Sequence, residues 1–443
     1  MATRTNGART LRITAVAVLT AVASSILVVA ANDDDLVYRT DPPRTLFLSA
    51  AEIPQAFPTP SQCVAAFRRA CYTPQMMRKA YNIPPQWTGK GQTIVIVDAF
   101  GSPTVREDLE TFSAIFGLPA PDLTVVNPVG SPTFRLKEGV TPGWQFETNL
   151  DVQWAHAIAP DAKLVLVVGA APIGAVLANA QRYAVEHRLG DVMSLSFGAD
   201  EAAINGYGRA NNFQLAQTHK VYEDARDAGI TVFAAAGDGG ASDGFPVANA
   251  LYPSSDPLVT AVGGTSLFLT DQGDYLGETV WNNRDPALCP FGCRSGRSGA
   301  TGGAPSFTFA APEFQLAVTG SSARVTSDVA YNANFYTAVL VYVGFFDDPV
   351  RNGLYFIGGT SAGAPQWAAI AADINEAKGR SLGYLNPALY AIGTDPAKYA
   401  QAFHDVTIGH NASFGPGFNA GAGYDLPTGL GSPNVAGLID VLP

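Results

Sequence analysis

The serine at position 361 stands in Gly358-Gly-Thr-Ser361-Ala-Gly-Ala-Pro365-Gln-Trp-Ala-Ala-Ile370, where small residues crowd a hydroxyl just ahead of an apolar helical run. A hydroxyl at a helix start lies in the positive field of the helix N-terminus, and the free N–H groups there can stabilise an oxyanion. A serine nucleophile also needs a base. Glu147 and Asp151, in Phe146-Glu147-Thr-Asn-Leu-Asp151, are four residues apart. On a helix this places both carboxylates on one face, about 5–6 Å from each other. Like charges so placed repel, which raises one pKa and lets the pair share a proton, a property suited to a base working in acid. A third acid, Asp238, lies in Phe233-Ala-Ala-Ala-Gly237-Asp238-Gly-Gly-Ala-Ser242. An acid among glycines at the C-terminal end of a strand faces the crevice where α/β folds bind ligands. Each residue also has a plain alternative. Ser361 could be an ordinary N-cap, the two acids could be solvated on a helix's first turn, and Asp238 could cap a turn.

Strands that could position these groups are legible as buried β-branched runs: Gln92–Asp98, Lys163–Val168, Val192–Ser196 and Ile230–Ala234. Helical stretches, Ile173–Glu186 and Ala210–Asp227, alternate with them, and a final helix is expected over Ser361–Ala377. Alternation of this kind implies right-handed βαβ units and a parallel sheet covered on both faces. Residues 275–325, rich in Gly, Ser and Pro, are expected to form long loops.

Gly359-Thr-Ser361-Ala-Gly363 formally matches G-x-S-x-G, the nucleophile elbow of α/β-hydrolases, for which Asp405 and His410 could be drafted as partners. No clear strand–helix series follows Ser361 to carry them. The Gly-Thr-Ser…Pro365 context is instead that of subtilisin-like folds, yet none of the five histidines (His156, His187, His219, His404, His410) lies in the early His-Gly-Thr segment a subtilisin requires. A serine without a histidine must find its base among the acids.

Taken in order, Glu147-x-x-x-Asp151, Gly237-Asp238-Gly and Gly358-Gly-Thr-Ser361-Ala-x-x-Pro365 resemble the sedolisin family of serine-carboxyl peptidases. Tyr252-Pro-Ser-Ser, Val259-Thr-Ala-Val-Gly-Gly-Thr265 and Gly302-Gly-Ala-Pro-Ser306 extend the resemblance, which runs from about Tyr72 to the C-terminus. It implies a subtilisin-like α/β fold with a mainly parallel central sheet and helices on both faces. It implies a Ser361–Glu147–Asp151 triad and an oxyanion hole formed by Asp238 with the Ser361 backbone N–H. Asp238 would have to be protonated to donate, so activity is expected in acid. Asp98 matches an acid that some members place behind the triad. Ser194-Leu-Ser196-Phe-Gly198 resembles the edge that pairs with an extended substrate by strand addition. The segment Asp405-Val406…Ala420-Gly421-Ala-Gly423-Tyr-Asp425 resembles the family's C-terminal calcium loop, implying one structural Ca²⁺ on the Asp405 and Asp425 carboxylates and the Val406, Gly421 and Gly423 carbonyls. Hard oxygen donors in a Gly-rich loop are what Ca²⁺ takes. Two departures from the family pattern, Ala304 in place of a further glycine and Ser327 in place of a proline before Asp328, lie outside the proposed triad.

The rest of the chain sets the context. Among 443 residues the net charge is −11 and charged residues are only 15%, which excludes a polyanionic partner such as nucleic acid. Arg4, Arg9 and Arg12 precede an apolar run, Ile13–Ala31, that ends in small residues, so residues 1–31 read as a secretory signal, with a membrane anchor as the alternative. Residues 32–71 read as a short propeptide or linker and 72–443 as the peptidase domain. The four cysteines suit an exported protein. Cys289 and Cys293 could close a small loop, whereas Cys63 and Cys71, about 12 Å apart on a continuous helix, could pair only if the chain turns between them. The expectation is a secreted, monomeric acid endopeptidase acting on protein or peptide substrates, without stable membrane association. The alternatives are a serine esterase of hydrolase fold, or a non-catalytic secreted relative that binds. Asn411-Ala-Ser413 is a glycosylation sequon, relevant only in a host that modifies such sites.

Overall fold

The computed structural model describes residues 45–53, 56–130, 140–172, 174–205, 213–292 and 299–443. The expected signal, 1–31, lies outside them. The four β-branched runs become the strands Thr93–Ala99, Lys163–Gly169, Val192–Leu195 and Thr231–Ala235, which share one sheet of eight strands. Its order is Tyr275–Val280, Thr260–Leu269, Thr231–Ala235, Val192–Leu195, Thr93–Ala99, Lys163–Gly169, Asp122–Val126, with Val329–Asn332 also paired to Thr260–Leu269. All the pairings are parallel except that of Tyr275–Val280 at the edge. Thr93–Ala99 is buried from Ile94 onward, as expected of a central strand covered on both faces.

The apolar run after Ser361 forms the helix Thr360–Lys378, buried from Thr360 through Asn375. It packs against the strands Val192–Leu195 and Thr231–Ala235 and against the helix Val140–Ile158. Gly363 permits this approach, because a Cβ there would lie 2.8 Å from Val262 Cγ1. The opposite face of the sheet carries Gly174–Glu186 and Phe213–Asp227, the two helices expected from sequence.

Two expectations are corrected. The helix at Ser361 is not the last, since Asn386–Gly393, Pro396–Ala402 and Val435–Val441 follow it. The 275–325 segment contains, besides loops, the strands Tyr275–Val280, Pro305–Ala310 and Ala323–Val325 and the helix Glu313–Thr319. The described part of 32–71 pairs into the fold. Thr45–Ser49 pairs with Gly353–Ile357 in a second sheet, whose order continues through Thr337–Val343 to Ala70–Tyr72.

Cys63 and Cys71 are disulfide-bonded with their Cα atoms 5.9 Å apart. The turn that allows this falls at Arg68, which ends the helix Pro60–Phe67 in the left-handed region at φ 56°. Cys289 is also disulfide-bonded, and Cys293 lies outside the described residues.

Candidate active site

Glu147 and Asp151 do lie on one helix, Val140–Ile158, and that helix is inside the protein. Gln145, Glu147, Thr148, Asn149, Asp151, Gln153 and His156 are all buried on it. So many polar groups in an interior helix are costly unless each has a task. Several have structural ones. Gln153 exchanges two hydrogen bonds with the Tyr342 backbone, at 2.7 and 2.8 Å, and Trp154 Nε1 donates to Leu340 O at 2.9 Å. Asn149 Nδ2 donates to Asp108 Oδ2 at 2.7 Å. These contacts fix the rotation of the helix. Glu147 and Asp151 are then left on the side of Ser361, Ser196 and Asp98.

Ser361 is the second residue of its helix, following Gly359 at φ 106° and Thr360. Pro365 has no N–H, so the Ser361 carbonyl has no partner four residues on. The Ser196 hydroxyl supplies one, donating to Ser361 O at 3.3 Å. The serine–proline spacing thus opens a backbone acceptor that a neighbouring strand end fills. Ser196 also lies beside Asp151. Sequence reasoning gave Ser196 only a place on a substrate edge. Its position between Ser361 and Asp151 depends on a strand crossing that no local pattern announces.

Asp238 follows the strand Thr231–Ala235 through Gly237, at φ 110°. Its Oδ1 accepts from the Thr360 N–H at 2.7 Å and from the Thr360 hydroxyl at 2.8 Å. The Thr360 hydroxyl in turn accepts from Gly237 N–H at 3.1 Å. Its Oδ2 faces Gly359, where a Cβ would sit 2.7 Å away. With Oδ1 engaged as an acceptor, a proton on Asp238 belongs on Oδ2, beside the N-terminal turn that carries Ser361.

Burial sets the electrostatics. It pushes the Asp238 carboxyl up to about 6, against the lowering effect of Thr360. It raises Glu147 well above the ordinary carboxylate range, opposed by the Ser361 hydroxyl and reinforced by the Asp238 charge. Asp151 is raised by burial and then by the charges of Asp98 and Glu147. Asp98 is pushed to about 7 by burial, with the Thr148 hydroxyl opposing. Asp98, Asp151 and Glu147 therefore form a buried row that holds fewer charges than carboxyls, so protons are shared along it.

All five histidines are engaged elsewhere. His410 Nε2 pairs with Asp285 at 2.9 Å, His219 with Asp256 at 2.8 Å, and His404 stacks on Tyr275 at 4.1 Å between ring centroids. His156 and His187 bind the carbonyls of Pro119 and Tyr183. The Asp405–His410 pair drafted for a hydrolase triad does not form, and Asp405 instead accepts from Tyr399.

The open side of Ser361 is a cleft whose wall includes Ser196, Phe197, Gly198, Asp238, Asp243 and Leu251. Gly198 lies hard against Leu251, since a Cβ there would meet Leu251 Cδ2 at 2.5 Å. The strand end singled out in the sequence therefore borders the cleft.

In the C-terminal loop Asp405 and Asp425 come together, with Val406 buried beside them. Asp425 Oδ2 accepts from Gly421 N–H and Asp405 Oδ2 from Gly423 N–H, both at 3.0 Å. Burial pushes Asp425 to about 6, and the Asp405 charge adds to the rise. Among the described residues no three His, Cys, Asp or Glu side chains converge. An ion here would rest on two carboxylates and main-chain carbonyls, a donor set that fits Ca²⁺ and relieves the repulsion between the acids.

The sequence profile of the subtilase family matches residues 145–391. Kumamolisin of Bacillus sp. (strain MN-32) is 34% identical over 377 residues, 82% of this chain and 62% of that protein. Sedolisin of Pseudomonas sp. (strain 101) is 28% identical over 388 residues, 85% and 62% respectively. Human tripeptidyl-peptidase 1 is 27% identical over 408 residues, 84% and 64%. The chain thus spans about three fifths of the length of these curated relatives. A solved structure of Pseudomonas sedolisin, a serine-carboxyl proteinase complexed with two molecules of pseudo-iodotyrostatin, superposes with a TM-score of 0.71 at 28% identity, covering 84% of this chain and 98% of that one.

Proposed function

This chain belongs to the sedolisin family of serine-carboxyl peptidases, with the subtilase fold, and from that premise we propose that it is an endopeptidase acting at acidic pH through Ser361, Glu147, Asp151 and Asp238. One observation carries the reading: Ser361 lies beside the buried Glu147 carboxyl, whose rise by burial its hydroxyl opposes, while every histidine is engaged elsewhere.

In the proposed reaction Glu147 takes the Ser361 proton as Oγ attacks the peptide carbonyl. Asp151 holds Glu147 through a shared proton, with Asp98 behind it. The developing oxyanion meets the Ser361 N–H and the Oδ2 proton of Asp238, a donor placed beforehand where charge appears. Glu147 then returns its proton to the leaving amine, and water releases the acyl group by the same steps in reverse roles. Glu147 must be ionised and Asp238 protonated at once. A buried row of acids that shares protons permits both below neutrality.

Asp405, Asp425 and the carbonyls of Val406, Gly421 and Gly423 would hold one Ca²⁺, which would pin the C-terminal loop and take no part in bond breaking. The apolar stretch after Arg12 supports export, and no helix among the described residues is long and apolar enough to cross a membrane. We read the enzyme as a secreted monomer whose partners are its peptide substrates. Peptide hydrolysis assayed with Ser361→Ala and Glu147→Gln variants tests the reading, and loss of activity in both is expected.

A further inference from the structure

We propose that Asn411 is a positioning residue for the oxyanion acid Asp238, an inference that rests on the role given to Asp238 above. The Asn411 side chain is fully buried. Its Nδ2 donates to Gly302 O at 2.8 Å and to Gly303 O at 2.9 Å, and its Oδ1 accepts from Phe418 N–H at 2.8 Å. Both amide protons and the carbonyl oxygen are thus in use. The Asn411 carbonyl also accepts from Ala241 N–H at 3.1 Å. The sequon reading gives way to a structural one: this side chain is inside the folded protein.

The segment so clamped lies alongside the oxyanion loop. Ala300 N–H donates to Asp238 O at 2.9 Å, Gly302 N–H to Gly237 O at 2.8 Å, and Gly240 N–H returns a bond to Ala300 O at 2.9 Å. Asp238 is therefore held twice. Thr360 holds its carboxyl, and the 300–302 segment, clamped by Asn411, holds its backbone.

There is no slack in this arrangement. A Cβ on Gly302 would lie 1.9 Å from Ala236 O, one on Gly303 2.2 Å from Leu426 O, and one on Gly240 2.7 Å from Asn411 O. Backbones at such contact transmit a small displacement instead of absorbing it. Loss of the amide leaves two buried carbonyls without donors, and the segment must shift to find others. The shift would be felt at Asp238, whose donation matters only once the oxyanion forms. Asn411 therefore governs kcat more than KM.

The test is a double-mutant cycle in the full-length protein. Asn411→Ala is expected to lower kcat about tenfold or more, with KM changed by less than about twofold, as for removal of a transition-state interaction. In an Asp238→Ala background the same change is expected to have less than about a twofold effect, because residues acting through one another are not additive. Asn411→Ser serves where the alanine variant folds poorly. Its hydroxyl keeps one donor for the two carbonyls, so its kcat should fall less than that of Asn411→Ala, with KM again little changed. Equal losses from Asn411→Ala in both backgrounds, or a kcat loss in Asn411→Ser that persists undiminished in the Asp238→Ala background, would overturn the proposal while leaving Asp238's role intact. Wild-type kcat in Asp238→Ala alone would overturn the oxyanion reading itself.

Discussion

The Oδ1 atom of Asp238 accepts two hydrogen bonds from Thr360, the residue immediately before Ser361, at 2.7 Å from its N–H and 2.8 Å from its hydroxyl. The acid and the serine are thus built into one turn, although 123 positions of sequence separate Gly237 from Thr360. Any proton on Asp238 is directed to Oδ2. In the proposed oxyanion role the group donates only while protonated, and burial pushes its pKa up to about 6. Activity should fall as pH rises through that value. Asp238→Ala is expected to lower kcat by about 10²–10³ at the acid optimum. Asp238→Asn keeps a neutral donor, so its alkaline limb should move up in pH. A limb unmoved in a pH–rate profile of Asp238→Asn would assign it to another group.

Stability should have its own acid bias. Asp98, Asp108, Asp238 and Asp425 have pKa values raised to about 7, 6, 6 and 6, and burial is the first cause in each case. A carboxyl with a raised folded pKa binds its proton more tightly folded than unfolded. It therefore destabilises the fold above its folded pKa, and the penalty disappears as pH falls toward its unfolded value near 4. The thermal midpoint measured without added metal should rise between pH 7 and about pH 4. Asp271 and Asp274, lowered by their hydrogen bonds, act in the opposite sense only at more acid pH. A midpoint that falls steadily from pH 7 to 4 would contradict this.

Calcium should reverse part of that trend. A cation between Asp405 and Asp425 favours their charged forms, so it competes with the proton that burial puts on Asp425 near pH 6. Added Ca²⁺ should raise the thermal midpoint at pH 6–7 and do progressively less below pH 5. Asp425→Asn should abolish most of the increment. Calorimetry with Ca²⁺ and with a chelator reads the effect without an activity assay.

Arg324 and Asp328 form a buried bidentate pair, each contact 2.5 Å long, and the Asp328 carboxylate also accepts from Ala261 N–H at 2.7 Å and from the Tyr390 hydroxyl at 2.6 Å. Removing one partner leaves an uncompensated charge in the interior. Asp328→Ala is expected to cost about 3–5 kcal/mol in denaturant unfolding. A cost below about 1 kcal/mol would show that water reaches the arginine.

Much of this site was legible before the fold was known. The central strands are continuous β-branched runs, and burial on both faces leaves that signature whatever surrounds them. Glu147, Asp151, Asp238 and Ser361 stand out as candidates because each sits in a short local context: a helical i, i+4 pair, a strand end, a helix start. What failed to show depends on contacts distant in sequence. Ser196 reaches the Ser361 carbonyl only because Pro365 frees it and a sheet brings the strand end alongside. Asn411 reads as a sequon because three residues cannot reveal that the amide is enclosed by a segment more than 100 positions earlier. The Cys63–Cys71 bridge hinged on a left-handed residue, Arg68, of a type that seldom adopts that conformation. The helices beyond Lys378 are short, and their apolar positions were too few to give a period.

The most direct test of the central claim is peptide hydrolysis by the purified protein from pH 2 to 8, beside Ser361→Ala and Glu147→Gln. The expected result is activity confined to acid and lost in both variants, because in the proposed mechanism the serine's base is the buried carboxylate. Activity that survives in Glu147→Gln while vanishing in Ser361→Ala would contradict it and place the base elsewhere.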